Sequence, residues 1–403
     1  MDEIKMPKKI MIIGNGFDLA MKAKTKYEDF YNCLKTCMEA KTLEAFEDEF
    51  FRYNKNSKAL VDTFFDIAKD NRENYFIEYF LNYKKIFGDW VSFEQELTRI
   101  VKTFDDLIFR LNSNETMSPI MSSDGSRSVA VKVKDNRDLW QVLKVNQDNK
   151  YFKCVFSYNP TGNPFYFKHK KDRNDCDIYR TEYEVYKAVE RFSESFPKEL
   201  FKDLTVFSVL FSLYLEIVEH FVNYDRIVKD AYDCDIIINY NYTNYLDRLL
   251  KNNYLSRTVL YINGSLENVQ GEPKDKIVFG IDSDTELSNT QFKLFTKRIQ
   301  RSIKETDVSR LNSVLGDHIE EIIVIGHSLD IADYESLGFI FSKCEGNGRK
   351  PRITVYYYDL EARMNLTINL EAILGSKKFD EYQRGDKLRF VPSEKAWIKA
   401  DNR

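Results

Sequence analysis

Four short stretches concentrate residue types that hold polar ligands, and each follows an apolar run. The first is Gly14-Asn15-Gly16-Phe17-Asp18, after KKIMII. Glycine permits positive φ and close approach of a ligand or another backbone. A helix N-terminus behind it offers unpaired N–H groups that suit phosphate. The third glycine of the dinucleotide fingerprint is missing, and so is the lysine of a P-loop. The stretch therefore reads either as a nucleotide loop or as a plain tight turn. Asp18 would repel phosphate; it can instead bond ribose hydroxyls, cap the helix or act as a base.

The second stretch is Asn239 to Asp247, NYNYTNYLD. Asn241 and Thr243 either hold a ligand by two-way hydrogen bonding or cap the helix that follows. The third is Tyr261-Ile262-Asn263-Gly264-Ser265, again glycine with small polar residues. The fourth is Gly326-His327-Ser328-Leu329-Asp330-Ile331-Ala332-Asp333. A serine hydrolase is disfavoured because the GxSxG elbow is absent. His327 with Asp330 and Asp333 does not by itself complete a metal set, and a histidine paired to a carboxylate at a helix start explains the stretch equally well.

Placing these residues together needs a particular scaffold. Lys9–Ile13 is a short apolar run without period, as in a strand buried on both faces of a parallel sheet. Runs at 235–239, 258–262, 276–279, 321–325 and 352–358 read the same way, with helical segments between several of them. The expected fold is α/β, a Rossmann-like parallel sheet with a large α-helical insertion. Residues 1–30 and 232–403 form the α/β domain, and 31–231 the mainly helical insertion. Within the insertion, 112–138 is polar and turn-prone, hence a loop, and 151–168 carries a β-hairpin signal around Asn-Pro-Thr-Gly-Asn-Pro. All four polar stretches would then emerge on one sheet edge and line one pocket, with a nucleotide as the natural ligand.

Composition narrows the function. Sixty basic against 64 acidic residues leave a net charge of −4, which argues against a general grip on nucleic acid. The 30 Phe and 25 Tyr read as an aromatic helical core rather than stacking platforms. Six cysteines show no paired CxxC spacing, and no zinc set accompanies Cys33 and Cys37. No secretory leader or uninterrupted apolar span is visible; Val206–Val218 is apolar but broken by Glu216 and reads as a buried helix. A cytoplasmic location is expected, with no membrane partner.

The opening IIGNGFDLAMKAKTKYEDF resembles the AbiH family of bacteriophage abortive infection proteins, whose pattern is close to IIGNGFDLAHGLxTxYxDF. INYNYTNYLD, INGSLEN, VFGID and IGHSLDIAD are similar as well, in order through most of the α/β part. The resemblance implies a sirtuin-like sheet that binds NAD or a related nucleotide and cleaves its N-glycosidic bond. It casts Asp18, Asn241 and His327 as catalytic candidates. The nucleotide would be held by Gly14, Asn15, Gly16, Phe17, Thr25 and Tyr27 on the first segment. Thr243, Asn263, Gly264, Ser265, Gly326, Ser328, Asp330 and Asp333 complete that set. No metal is expected. The chain departs from the pattern where relatives read HIHGS and it reads YINGS. Asn263 then stands in place of the histidine base and cannot do its work. Either another residue does so, or the protein is a non-catalytic nucleotide sensor or protein-binding module. In that second reading the helical insertion engages a protein partner or phage trigger, and self-association stays open.

Overall fold

The computed structural model describes residues 8–50, 57–82, 90–112, 117–121, 127–131, 156–157, 165–167, 182–222, 226–252, 257–266, 275–282, 285–315, 319–345 and 350–399. Its centre is a six-stranded sheet. The strands are β1 (Lys8–Ile13), β7 (Ile236–Asn239), β8 (Thr258–Tyr261), β9 (Ile319–Ile325), β10 (Arg352–Tyr357) and β11 (Leu388–Pro392). Every neighbouring pair is parallel, in the order β11-β10-β9-β1-β7-β8. Counted along the sheet, this is the doubly wound order 3-2-1-4-5-6. The fold is Rossmann-like, as expected.

The strand β1 shows why its sequence has no period. Ile10 and Ile12 enter the core on one face, and Met11 and Ile13 that on the other. The first face is covered by α11 (Tyr334–Cys344), α12 (Leu360–Leu374) and α13 (Ser376–Arg384). The second face is covered by α1 (Asn15–Ala20), α8 (Tyr245–Asn252) and a two-stranded antiparallel ribbon. That ribbon joins β6 (Arg226–Val228) to β12 (Trp397–Lys399). Ile227 and Val228 therefore pack with the sheet, although the expected boundary put them in the insertion.

The insertion supplies a third core. Helices α2 (Tyr27–Glu39), α3 (Leu43–Phe50), α4 (Lys58–Asp70), α5 (Tyr75–Asn82), α6 (Trp90–Asn112) and α7 (Glu182–Glu219) contribute to it. It is dominated by aromatic contacts, such as Tyr27 stacked on Phe211 at 5.1 Å and Phe93 on Phe207 at 5.3 Å. The apolar 206–218 run lies inside α7. No helix among the described residues is long and apolar enough to cross a membrane.

Three expectations change. Residues 276–279 are not a strand: the Tyr242 hydroxyl bonds the Val278 carbonyl at 2.8 Å and the Gln300 amide that of Phe279. Side chains thus take the acceptors a ladder would use. Phe279 and Ile281 pack into the helical core instead. Second, the 112–138 stretch holds β2 (Met117–Met121) and β3 (Arg127–Val131), paired antiparallel. A partner explains this, since β3 also pairs antiparallel with β5 (Phe165–Phe167), in register Val129 to Phe167 and Val131 to Phe165. Third, the edge strand β11 was not anticipated. The hairpin signal falls on β4 (Phe156–Ser157) and β5, which pair antiparallel; the turn between them lies outside the described residues.

Candidate functional site

At the centre of the sheet, where strand order reverses between β1 and β9, the two exit loops meet. The Gly14 N–H donates to the Ile325 carbonyl at 3.2 Å, and the Gly16 N–H to that of Gly326 at 2.8 Å. The Phe17 N–H donates to Gly14 O at 2.8 Å. Gly326 has φ +68°, and a Cβ there would sit 2.2 Å from Phe17 N. A Cβ on Gly16 would lie 2.8 Å from Gly326 Cα. These glycines are required because two backbones touch.

Asp18, in the helix leaving β1, is held by the loop after β7. That loop is shaped by Asn239, whose Oδ1 accepts from Asn241 N at 2.8 Å and whose Nδ2 donates to Thr243 O at 3.2 Å. The turn aims Asn241 Nδ2 at Asp18 Oδ1 and at Gly14 O, both 3.0 Å away. It also brings the Thr243 hydroxyl within 2.6 Å of Asp18 Oδ2. Asp18 is 2% exposed, and burial pushes its pKa up to about 8. The bonds from Thr243 and Asn241 pull it down, and the Glu219 carboxylate pushes it up. At neutral pH the acid form dominates, and its O–H can donate a hydrogen bond to Thr243 Oγ1 or to a ligand.

A second group faces it from β9. His327 Nδ1 accepts the Leu329 N–H at 2.9 Å, so the neutral ring carries its proton on Nε2, 3.7 Å from Asp333 Oδ2. Burial lowers the His327 pKa to about 4, against the pull of Asp333. His327 is therefore a donor at neutral pH, with no lone pair free to act as a base. Asp333 also accepts from Lys297 Nζ at 2.9 Å and from Arg301 at 3.2 Å, both on α9 (Lys297–Ile303). Burial raises the Asp333 pKa, but the two cations outweigh it and hold the group below the ordinary carboxylate range.

Lys297 also meets Glu94 of α6 at 3.1 Å, and burial raises the Glu94 pKa to about 7. Asn263 Oδ1 accepts from Arg301 at 2.8 Å. The residue at the expected base position is thus a fixed acceptor in this network.

The groups enclose a cavity of about 250 Å³. Of the expected residues, Gly14, Asn15, Gly16, Asp18 and Thr25 line it, with the Thr25 hydroxyl bonded to Asn15 Oδ1 at 2.7 Å. From the later loops come Asn241, Thr243, Asn263, Gly326, His327, Ser328, Asp330 and Asp333. Four expected residues lie outside this lining. Phe17 packs on Trp397 at 5.4 Å, and Tyr27 belongs to the helical aromatic core. Gly264, at φ +82°, turns the chain under the Lys276 carbonyl, and Ser265 follows it out of the pocket. Glu94, Leu215, Tyr240, Tyr242 and Lys26 line the cavity without having been anticipated. Neither do the sequence patterns point to Lys297 and Arg301.

The model of the family "Bacteriophage abortive infection AbiH" matches residues 10–357, from β1 to the end of β10. No curated protein and no solved structure matches the chain. The matched span covers most of the chain and every residue of the pocket. The chain belongs to the AbiH family of bacteriophage abortive infection proteins, and its role is in defence against phage.

Proposed function

We propose that this protein acts in phage defence by binding a ribose-bearing nucleotide, NAD or a relative, in this pocket and breaking its N-glycosidic bond. The observation that carries the reading is Asp18. It is a buried carboxyl with pKa about 8, bonded by Asn241 and Thr243, at the switch point of a Rossmann-type sheet. Doubly wound sheets take ligands at this place, and a carboxyl poised near working pH suits acid–base chemistry. In the reaction the C1′–N bond breaks, the base leaves with the bonding pair, and water attacks C1′ while its proton passes to ionised Asp18. Asn241 orients the ribose, and the His327 Nε2–H donates to it. The rate then rises with pH up to about 8 and levels off above.

One observation favours a binding role without chemistry: Asn263 is tied to Arg301, and His327 has its Nδ1 occupied, so Asp18 is the only base left among the expected candidates. The helical insertion would then pass the signal to a protein partner. NAD measured in expressing cells with and without phage, beside purified protein incubated with NAD, separates the two. A fall that Asn241→Ala abolishes supports cleavage. Infection aborted with NAD intact in both settings rules it out for NAD and leaves the binding role.

A further inference from the structure

We infer that the pocket takes the nucleoside part of its ligand, base and ribose, and leaves phosphate outside; this rests on the nucleotide reading above. The usual phosphate cradle of a Rossmann fold is the glycine turn and the helix N-terminus behind it. Here the N–H groups of Gly14, Gly16 and Phe17 are all spent on backbone carbonyls of the two touching loops. The helix they open has six residues, too short for a substantial macrodipole.

The cations beside the pocket are committed as well. Lys297 is bound by Glu94 and Asp333, and Arg301 by Asn263 and Asp333. The lining itself carries four carboxyls, on Asp18, Glu94, Asp330 and Asp333. Asp18 keeps its proton at neutral pH and Glu94 and Asp333 are paired, so an entering phosphate would find both Lys297 and Arg301 already committed to carboxylates. Lys26 is the exception in position: it lines the cavity but is exposed, at the mouth.

What the interior does offer suits hydroxyls and a base. The Asn241 and Thr243 side-chain oxygens can accept from ribose hydroxyls, the His327 Nε2–H can donate to one, and Tyr240 and Tyr242 are among the lining residues. A volume of about 250 Å³ sits just below the range of small-molecule pockets, roughly 300–1,000 Å³, so a compact group is the expected occupant. Any phosphate chain runs out past Lys26.

Calorimetric titration of the whole protein tests this, with NAD, nicotinamide riboside, adenosine, 2′-deoxyadenosine and inorganic pyrophosphate as probes. The expected result is that nicotinamide riboside or adenosine binds within about tenfold of NAD, a difference near 1.4 kcal/mol. Pyrophosphate does not displace it, and loss of the 2′-hydroxyl weakens adenosine by about tenfold or more. If NAD binds, both nucleosides fail and pyrophosphate competes, the inference is overturned while the nucleotide reading stands. If neither NAD nor any nucleoside binds, both fall together.

Discussion

Asp18 lies between Asn241 and Thr243 with its carboxyl removed from water, and this fixes how it responds to pH. The unfolded chain releases the Asp18 proton near the ordinary value of 3.8, while the folded protein keeps it to about 8. Between those values the native state binds more protons than the unfolded one. Asp18 therefore costs stability progressively as pH rises from about 4 to 8. Asparagine resembles the protonated acid: its carbonyl can accept from Asn241 and its amide can donate to Thr243. Thermal unfolding of Asp18→Asn should match wild type near pH 4 and show a gain that grows toward pH 8. An equal loss at every pH would mean that Asp18 is ionised in the native protein. The same variant separates stability from function, since it keeps the fold and removes the base.

At the scale of elements, the glycine turns carry structure that side-chain chemistry cannot replace. Gly326→Ala puts a Cβ 2.2 Å from Phe17 N at a residue already at φ +68°. A loss on the order of 3 kcal/mol follows from left-handed strain plus the clash, and denaturant unfolding would read it as a lower midpoint. A change within about 0.5 kcal/mol would refute the loop–loop contact. These elements were unevenly visible in the sequence. The strand at Lys9–Ile13 was legible because its core, Ile10–Ile13, is buried on both faces and must be apolar. KIVF has the same pattern at 276–279, yet side chains of Tyr242 and Gln300 take its carbonyls, which no local pattern foretells. The strand LRFVP at 388–392 was missed because its residues are mostly half-buried and it ends in proline, as edge strands do. For the site, strand-exit residues such as Asp18, Asn241 and His327 could be read because a parallel sheet brings its exits to one edge. Phe17 and Tyr27 sit on the same segment but turn into cores. Glu94, Lys297 and Arg301 reach the site through tertiary packing, and Glu94 is 203 residues from Lys297.

In the whole molecule, the pocket is closed jointly by the sheet and the helical insertion. Lys297 is 1% exposed and joins Glu94 of the insertion to Asp333 of the sheet loop. Lys297→Met leaves two buried carboxyls short of a cation and should cost about 3–5 kcal/mol. Adding Glu94→Leu to it should restore part of that loss, because one of the stranded acids is gone. Chemical denaturation of the single and double variants checks this, and equal stability of the two would show that Glu94 is not coupled to Lys297.

If the pocket is the working site, defence runs through it. The most direct measurement is the efficiency of phage plating on cells expressing wild type, Asp18→Asn or Asn241→Ala, with each variant shown to be folded at wild-type level. Both variants should lose protection, with plating rising by about a hundredfold or more toward that of unprotected cells, a loss of the size expected when an acid–base group is removed. Folded variants that protect as well as wild type would contradict it.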